Sequence, residues 1–135
     1  MSRLRPPIRV LLAEDNRDLA MAVRALLDAE DDITVTGVVG CASELLDAAL
    51  STGAEVVILD LNLDGGSGVA AMREVRESVP GVQVVVFSGY DAHDIGGALR
   101  GLCDAEFVTK SGEVTLLFDA VRRAAARASA AVSGA

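Results

Sequence analysis

Five polar positions each follow or close a short apolar run: Glu14-Asp15, Asp60, Ser88 and Lys110. Three carboxylates a few ångströms apart repel and raise one another's pKa unless a cation sits among them. A small set of hard oxygen ligands, with room left for water and a phosphoryl group, suits Mg²⁺ better than a caged Ca²⁺. Eleven of the twelve basic residues are Arg, so Lys110 is the single lysine of the chain. Asp60, set between such a metal and that ammonium, is placed to attack phosphorus and form an aspartyl phosphate. The metal and Lys110 would then neutralise the phosphoryl oxygens, and Ser88 could donate a hydrogen bond to one of them.

This chemistry requires an architecture that carries distant segments to one edge. Short β-branched runs at 8–13, 34–39, 56–61, 82–88 and 105–109 read as strands. Val10-Leu11-Leu12, Val56-Val57-Ile58-Leu59 and Val84-Val85-Val86-Phe87 are continuously apolar, as strands covered on both faces of a parallel sheet are. Helical spacing relates Leu19, Val23, Leu26 and Leu27 after an Asn16 cap. It recurs at Leu45, Leu46, Ala49 and Leu50, then at Val69, Met72, Val75 and Val79 before Pro80-Gly81. A shorter helix is predicted after Asp91 with Ile95, Leu99 and Leu102, and a last one with Val114, Leu117, Phe118, Val121 and Ala125. Alternating strands and helices predict right-handed βαβ units in an α/β, doubly wound, five-stranded parallel sheet. Ligands of such sheets bind beyond the carboxyl ends of the strands, where all five polar positions fall.

Composition narrows the classes. The chain has 135 residues, 51% of them apolar, as expected of one globular domain. With 20 acidic against 12 basic residues the net charge is -8, which argues against binding of nucleic acid by this stretch. A single His, His93, excludes a two-His metal site and all but excludes a Ser-His-Asp triad; it reads as a solvated helix residue. Cys41 and Cys103 form no C-x-x-C pattern and read as reduced core residues. No apolar run near the start suits a signal peptide, and none approaches a membrane span, so a soluble cytoplasmic protein with no membrane association is expected. The division expected is an N-terminal extension at 1–7, a domain at 8–127, and an Ala/Ser/Gly tail or linker at 128–135.

The ordered set Glu14-Asp15, Asp60, Ser88 and Lys110, with the loop Asp60-Leu61-Asn62-Leu63-Asp64-Gly65-Gly66-Ser67-Gly68, closely resembles the receiver domain of bacterial two-component response regulators, the CheY-like superfamily. The resemblance implies a flavodoxin/CheY-like sheet of order 2-1-3-4-5. It further implies that Asp60 accepts a phosphoryl group from a sensor histidine kinase, with Mg²⁺ held by Glu14, Asp15, Asp60 and the backbone carbonyl of Asn62. Lys110 and Ser88 would stabilise the phosphoryl group, and Ser88 and Phe107 would act as the switch. Lys110-Ser111, Leu116-Leu117 and Val121-Arg122 look like receivers that precede LuxR-type helix-turn-helix domains, so a transcription regulator reaching DNA through an output domain is expected, and a homodimer is possible. The alternatives are a stand-alone receiver acting through protein contacts and a constitutive interaction module that is not phosphorylated. Three residues depart from the family pattern: Asp64 and Ser111 stand where Pro is common, and Phe107 where Tyr is.

Other classes fit the residues less well. A flavin carrier needs a hydroxyl- and glycine-rich cradle after the first strand, where this chain has Glu14-Asp15-Asn16-Arg17-Asp18 and would repel phosphate. An aspartyl phosphatase wants an acid two residues after its nucleophile, and Asn62 cannot be a general acid, so a turnover enzyme is disfavoured. Gly66-Ser67-Gly68-Val69-Ala70-Ala71 matches a dinucleotide fingerprint in form but does not follow a strand directly; its glycines are expected to turn the loop beside Asp60.

Overall fold

A computed structural model describes residues 6–63, 65–89, 102 and 104–133. Five strands form one parallel sheet: β1 (Ile8–Ala13), β2 (Ile33–Val39), β3 (Val56–Leu59), β4 (Gln83–Ser88) and β5 (Glu106–Thr109). Their spatial order is β2-β1-β3-β4-β5, the doubly wound arrangement expected, with the strand order switching between β1 and β3 while every strand runs the same way. Four described helices cover it: α1 (Arg17–Asp28), α2 (Leu45–Thr52, after a 3-10 turn at Ala42–Glu44), α3 (Gly68–Ser78) and α4 (Val114–Ser133). The helix expected after Asp91 lies outside the described residues, as do His93 and Cys103. Leu102, its last apolar position, is buried.

Alternate residues of each central strand supply two separate cores, because successive side chains of a strand point to opposite faces. Val10 and Leu12 of β1, Val56 and Ile58 of β3 and Val85 and Phe87 of β4 pack with Val23 and Leu27 of α1 and Leu117 and Val121 of α4. Leu11, Val57, Leu59, Val84 and Val86 pack on the other side with Leu45 of α2 and Met72 and Val75 of α3. Burying each such side chain contributes about 1.5–3 kcal/mol. Coverage of both faces is the physical reason these strands carry no polar alternation.

Several boundaries differ from the sequence expectation. β3 ends at Leu59 rather than at 61, because the Asp60 carboxylate accepts the Asn62 amide at 3.0 Å and turns the chain out of the ladder. Leu26 and Leu50 were expected on buried helix stripes, yet they are 45% and 56% exposed; Ala20 holds an inner position of α1 in addition to Val23 and Leu27, and on α2 the expected Leu45 and Ala49 are the buried ones. The last helix runs on through 128–133, so that part of the expected tail continues α4. Asn16 caps α1 as expected, accepting the Leu19 amide at 3.0 Å. Among the described residues, no helix is long and apolar enough to cross a membrane.

Candidate functional site

Three backbone hydrogen bonds extend the ladders one residue past the strands and set the site. Glu14 N–H donates to the Val39 carbonyl at 2.9 Å, Asp60 N–H to Ala13 at 3.0 Å, and Lys110 N–H to Ser88 at 2.8 Å. Residues that follow β1, β3 and β5 are thereby fixed at the same carboxyl edge, although as many as 96 residues separate them in sequence. The following loop is shaped by glycine. Gly65 and Gly66 have φ of 83° and 124°, a region that side-chain-bearing residues rarely enter. A Cβ at Gly68 would come 3.3 Å from the Asp60 carbonyl oxygen, so the start of α3 closes directly against the Asp60 backbone. This is what the glycines do, in place of a dinucleotide cradle.

Carboxylate oxygens of Glu14, Asp15 and Asp60 lie within 4.8 Å of one another. Glu14 and Asp60 are each 3% exposed, whereas Asp15 is open to solvent. Lys110 spans the two buried acids, with Nζ 2.7 Å from Glu14 Oε1 and 3.2 Å from Asp60 Oδ2. The Asp60 contact is a hydrogen bond. The Glu14 contact pairs the charges but is off the hydrogen-bond direction, leaving buried Oε1 without a donor. Glu14 Oε2 accepts the Asn16 amide at 3.1 Å. Burial pushes the Glu14 carboxyl above its ordinary range and the Asp60 charge adds to this; Lys110 and the Asn16 N–H offset only part of it. For Lys110 burial acts downward, but Glu14 and Asp60 outweigh it and hold the ammonium above its ordinary value.

Three carboxylates against one ammonium leave an excess of negative charge at a buried edge. The donor set is all oxygen, one oxygen lacks a donor, and Asp15 opens the cluster to solvent. These features fit a hard divalent cation that keeps part of its water shell.

Of the residues singled out in the sequence, Glu14, Asp15, Asp60 and Lys110 meet directly, and Asn62 joins them through its amide. Ser88 is fully buried at the end of β4, in register with Thr109, and its carbonyl anchors Lys110. Phe107 stands back from the acids, in register with Val86 and half-buried over the α2/α3 core. Sequence reasoning missed Phe87, whose ring centroid lies 5.9 Å from Lys110 Nζ, at the outer limit of a cation–π contact. Its place just before Ser88 was the available signal. Asp64 lies outside the described residues. Cys41, free and half-buried, lies against Gly65, on the rim of the same loop.

Comparison with known proteins agrees with this geometry. Residues 10–122 match the family described as response regulator receiver domain. The nitrate/nitrite response regulator protein NarL of Escherichia coli K12 is 31% identical over 121 residues, covering 89% of this chain and 56% of that protein. The transcriptional regulatory protein LiaR of Bacillus subtilis is 26% identical over 117 residues, covering 87% of this chain and 56% of that protein. The chain spans about half the length of the curated relatives it matches. Among solved structures, a LuxR-family two-component response regulator from Aurantimonas superposes with a TM-score of 0.79 at 23% identity, over 89% of this chain and 86% of that one. A CheY-like receiver domain protein from Methanospirillum hungatei gives 0.78 at 17% identity, over 91% and 97%. Both share its fold.

Proposed function

The chain belongs to the response regulator receiver domain family of two-component signalling, and on that premise we propose that it is switched by phosphorylation of Asp60. The observation that carries this reading is the contact of Lys110 Nζ with Asp60 Oδ2 at 3.2 Å inside a triad of acids of which Glu14 and Asp60 are buried. The donor is the phosphohistidine of a sensor histidine kinase, and the protein works in the cytoplasm.

In the transfer an Asp60 carboxylate oxygen forms the bond to phosphorus as the phosphorus–nitrogen bond of the donor breaks, and the imidazole leaves with that electron pair. Lys110, whose backbone is held by the Ser88 carbonyl, neutralises charge on the phosphoryl oxygens. The Ser88 side chain supplies a hydroxyl at the same edge. Glu14, Asp15, Asp60 and the Asn62 carbonyl would hold Mg²⁺, which would screen the carboxylates and the incoming phosphate from one another. The Asn62 amide cannot take a proton from an attacking water, so it offers no general base for hydrolysis and the chain's own groups favour holding the phosphoryl group over rapid turnover. Ser88 and Phe107 relay the change toward the surface of β5 and α4. The relatives are about one and a half times as long, which supports a natural chain that continues into a LuxR-type output domain; DNA is then reached through that domain and not through this acidic one.

Incubation with acetyl phosphate and Mg²⁺, followed by intact-mass measurement, tests the reading. One phosphoryl adduct is expected on the wild type and none on Asp60→Asn. A wild type that stays unmodified under conditions that label a known receiver would instead favour a constitutive interaction module.

A further inference from the structure

Beside the acidic triad, the first turns of α1 and the end of β2 border an open groove of about 490 Å³. Glu14, Asp15, Arg17, Met21, Arg24 and Val38 are among its walls. Its two guanidiniums are not equivalent. Arg24 is engaged with Asp28 at 3.6 Å along α1. Arg17, exposed in the first turn just after the Asn16 cap, has no side-chain partner among the described residues.

Charge arithmetic gives that cation a role. Glu14, Asp15 and Asp60 sum to three negative charges, which Lys110 and one divalent ion would together only cancel. An anionic phosphodonor therefore meets no net attraction at the acids themselves, and Arg17 supplies the remaining positive charge at the mouth. A guanidinium fork also matches two phosphoryl oxygens at once, which a point charge does not.

We propose that Arg17 is a positioning residue that captures the phosphoryl group of small acyl phosphates in this groove before transfer to Asp60. The inference rests on Asp60 being the phosphoacceptor. In the transfer, an Asp60 oxygen bonds to phosphorus while the phosphorus–oxygen bond to the acyl group breaks, and the carboxylate leaves with the electron pair. Arg17 takes part in neither bond, so it acts on capture and not on the maximal rate.

Labelling rates measured by intact mass across a series of acetyl phosphate concentrations, at saturating Mg²⁺, test this. Arg17→Ala raises the half-saturating concentration roughly two- to fivefold, the range of a solvent-exposed charge contact, with the maximal rate unchanged. Arg17→Lys recovers part of the loss, and Arg24→Ala matches the wild type. Added KCl raises half-saturation more for the wild type than for Arg17→Ala, because only the former has the charge to screen. Wild-type half-saturation in Arg17→Ala, no recovery in Arg17→Lys, or a loss confined to the maximal rate each overturns the proposal. In those cases the wild type is labelled and the role of Asp60 stands; a wild type that takes no label overturns both.

Discussion

Arg122 and Lys110 each reach back across the molecule to acids contributed by its first half. Arg122, on α4, binds Asp32 from Nε at 2.8 Å and Glu30 from Nη2 at 2.7 Å, with Asp119 3.8 Å away. Lys110 binds Glu14 and Asp60, with Asp15 beside them. Each centre is therefore one cation among three carboxylates. They differ in access to water. The acids around Arg122 have side chains 33–57% exposed, whereas those paired with Lys110 are 2% and 4% exposed. At Arg122 solvent screens the surplus charge, the hydrogen bonds are well directed, and the guanidinium pKa is raised by Asp32 and Glu30. At Lys110 the acids that pair with the ammonium are buried, and the pKa of Glu14 rises along with that of Lys110. Equal charge counts thus make a clamp in one place and a cation-seeking site in the other, and burial decides which.

The sharpest way to break this comparison is to remove each cation in turn. Lys110→Ala should slow acetyl phosphate labelling of Asp60 by about a hundredfold, roughly 2.7 kcal/mol of barrier, the effect of losing one preorganised charge-stabilising donor. Mass-resolved time courses read this directly, and a loss under fivefold would mean that Lys110 is only structural. Arg122→Ala should leave that rate unchanged and cost about 1 kcal/mol of stability, discounted for the exposure of the pair. Urea unfolding measures it. A labelling defect in Arg122→Ala would show that the two centres are coupled rather than separate.

The sequence made the buried centre more legible than the exposed one. Glu14, Asp15, Asp60 and Lys110 sit at the ends of apolar runs, and a parallel sheet places all such ends on one edge, so their convergence follows from strand periodicity. What the sequence did not reveal was how they pair: Lys110 approaches Glu14 more closely than Asp60, which depends on side-chain reach and not on spacing. The Arg122 clamp joins residues 90 and 92 positions apart through surface side chains, and no period records such a contact. Leu26 and Leu50 were misplaced because a helical stripe is about 100° wide, and one residue of rotation moves a leucine from the core to its rim. Leu61 was placed in a strand on its apolar character, against the stronger demand of the Asp60 side chain for a local amide.

Two glutamates sharpen the comparison at smaller amplitude. Burial pushes Glu106 up, but the guanidiniums of Arg123 at 2.9 Å and Arg127 at 2.6 Å outweigh it and hold its carboxyl below the ordinary range, opposite to Glu14. A raised folded pKa means that the folded state binds the proton more tightly. The contribution of Glu14 is therefore complete below the ordinary glutamate pKa and lost as pH rises through its folded value. A depressed folded pKa does the reverse, so the contribution of Glu106 is present above the ordinary value and lost as pH falls toward its folded one. At neutral pH in EDTA, Glu14→Gln should accordingly stabilise the fold by about 0.5–1 kcal/mol while impairing labelling, the exchange of stability for function expected at a site of crowded charge. Glu106→Gln should destabilise the fold by about 0.5 kcal/mol and leave labelling intact. Urea unfolding at a series of pH values separates them further. The Glu14→Gln difference should narrow as pH falls from the raised folded value toward the ordinary glutamate pKa, as the wild-type carboxyl takes up its proton, and the Glu106→Gln difference should close only below the ordinary value. Two differences of the same sign at neutral pH would mean that burial does not distinguish the site from the clamps around it.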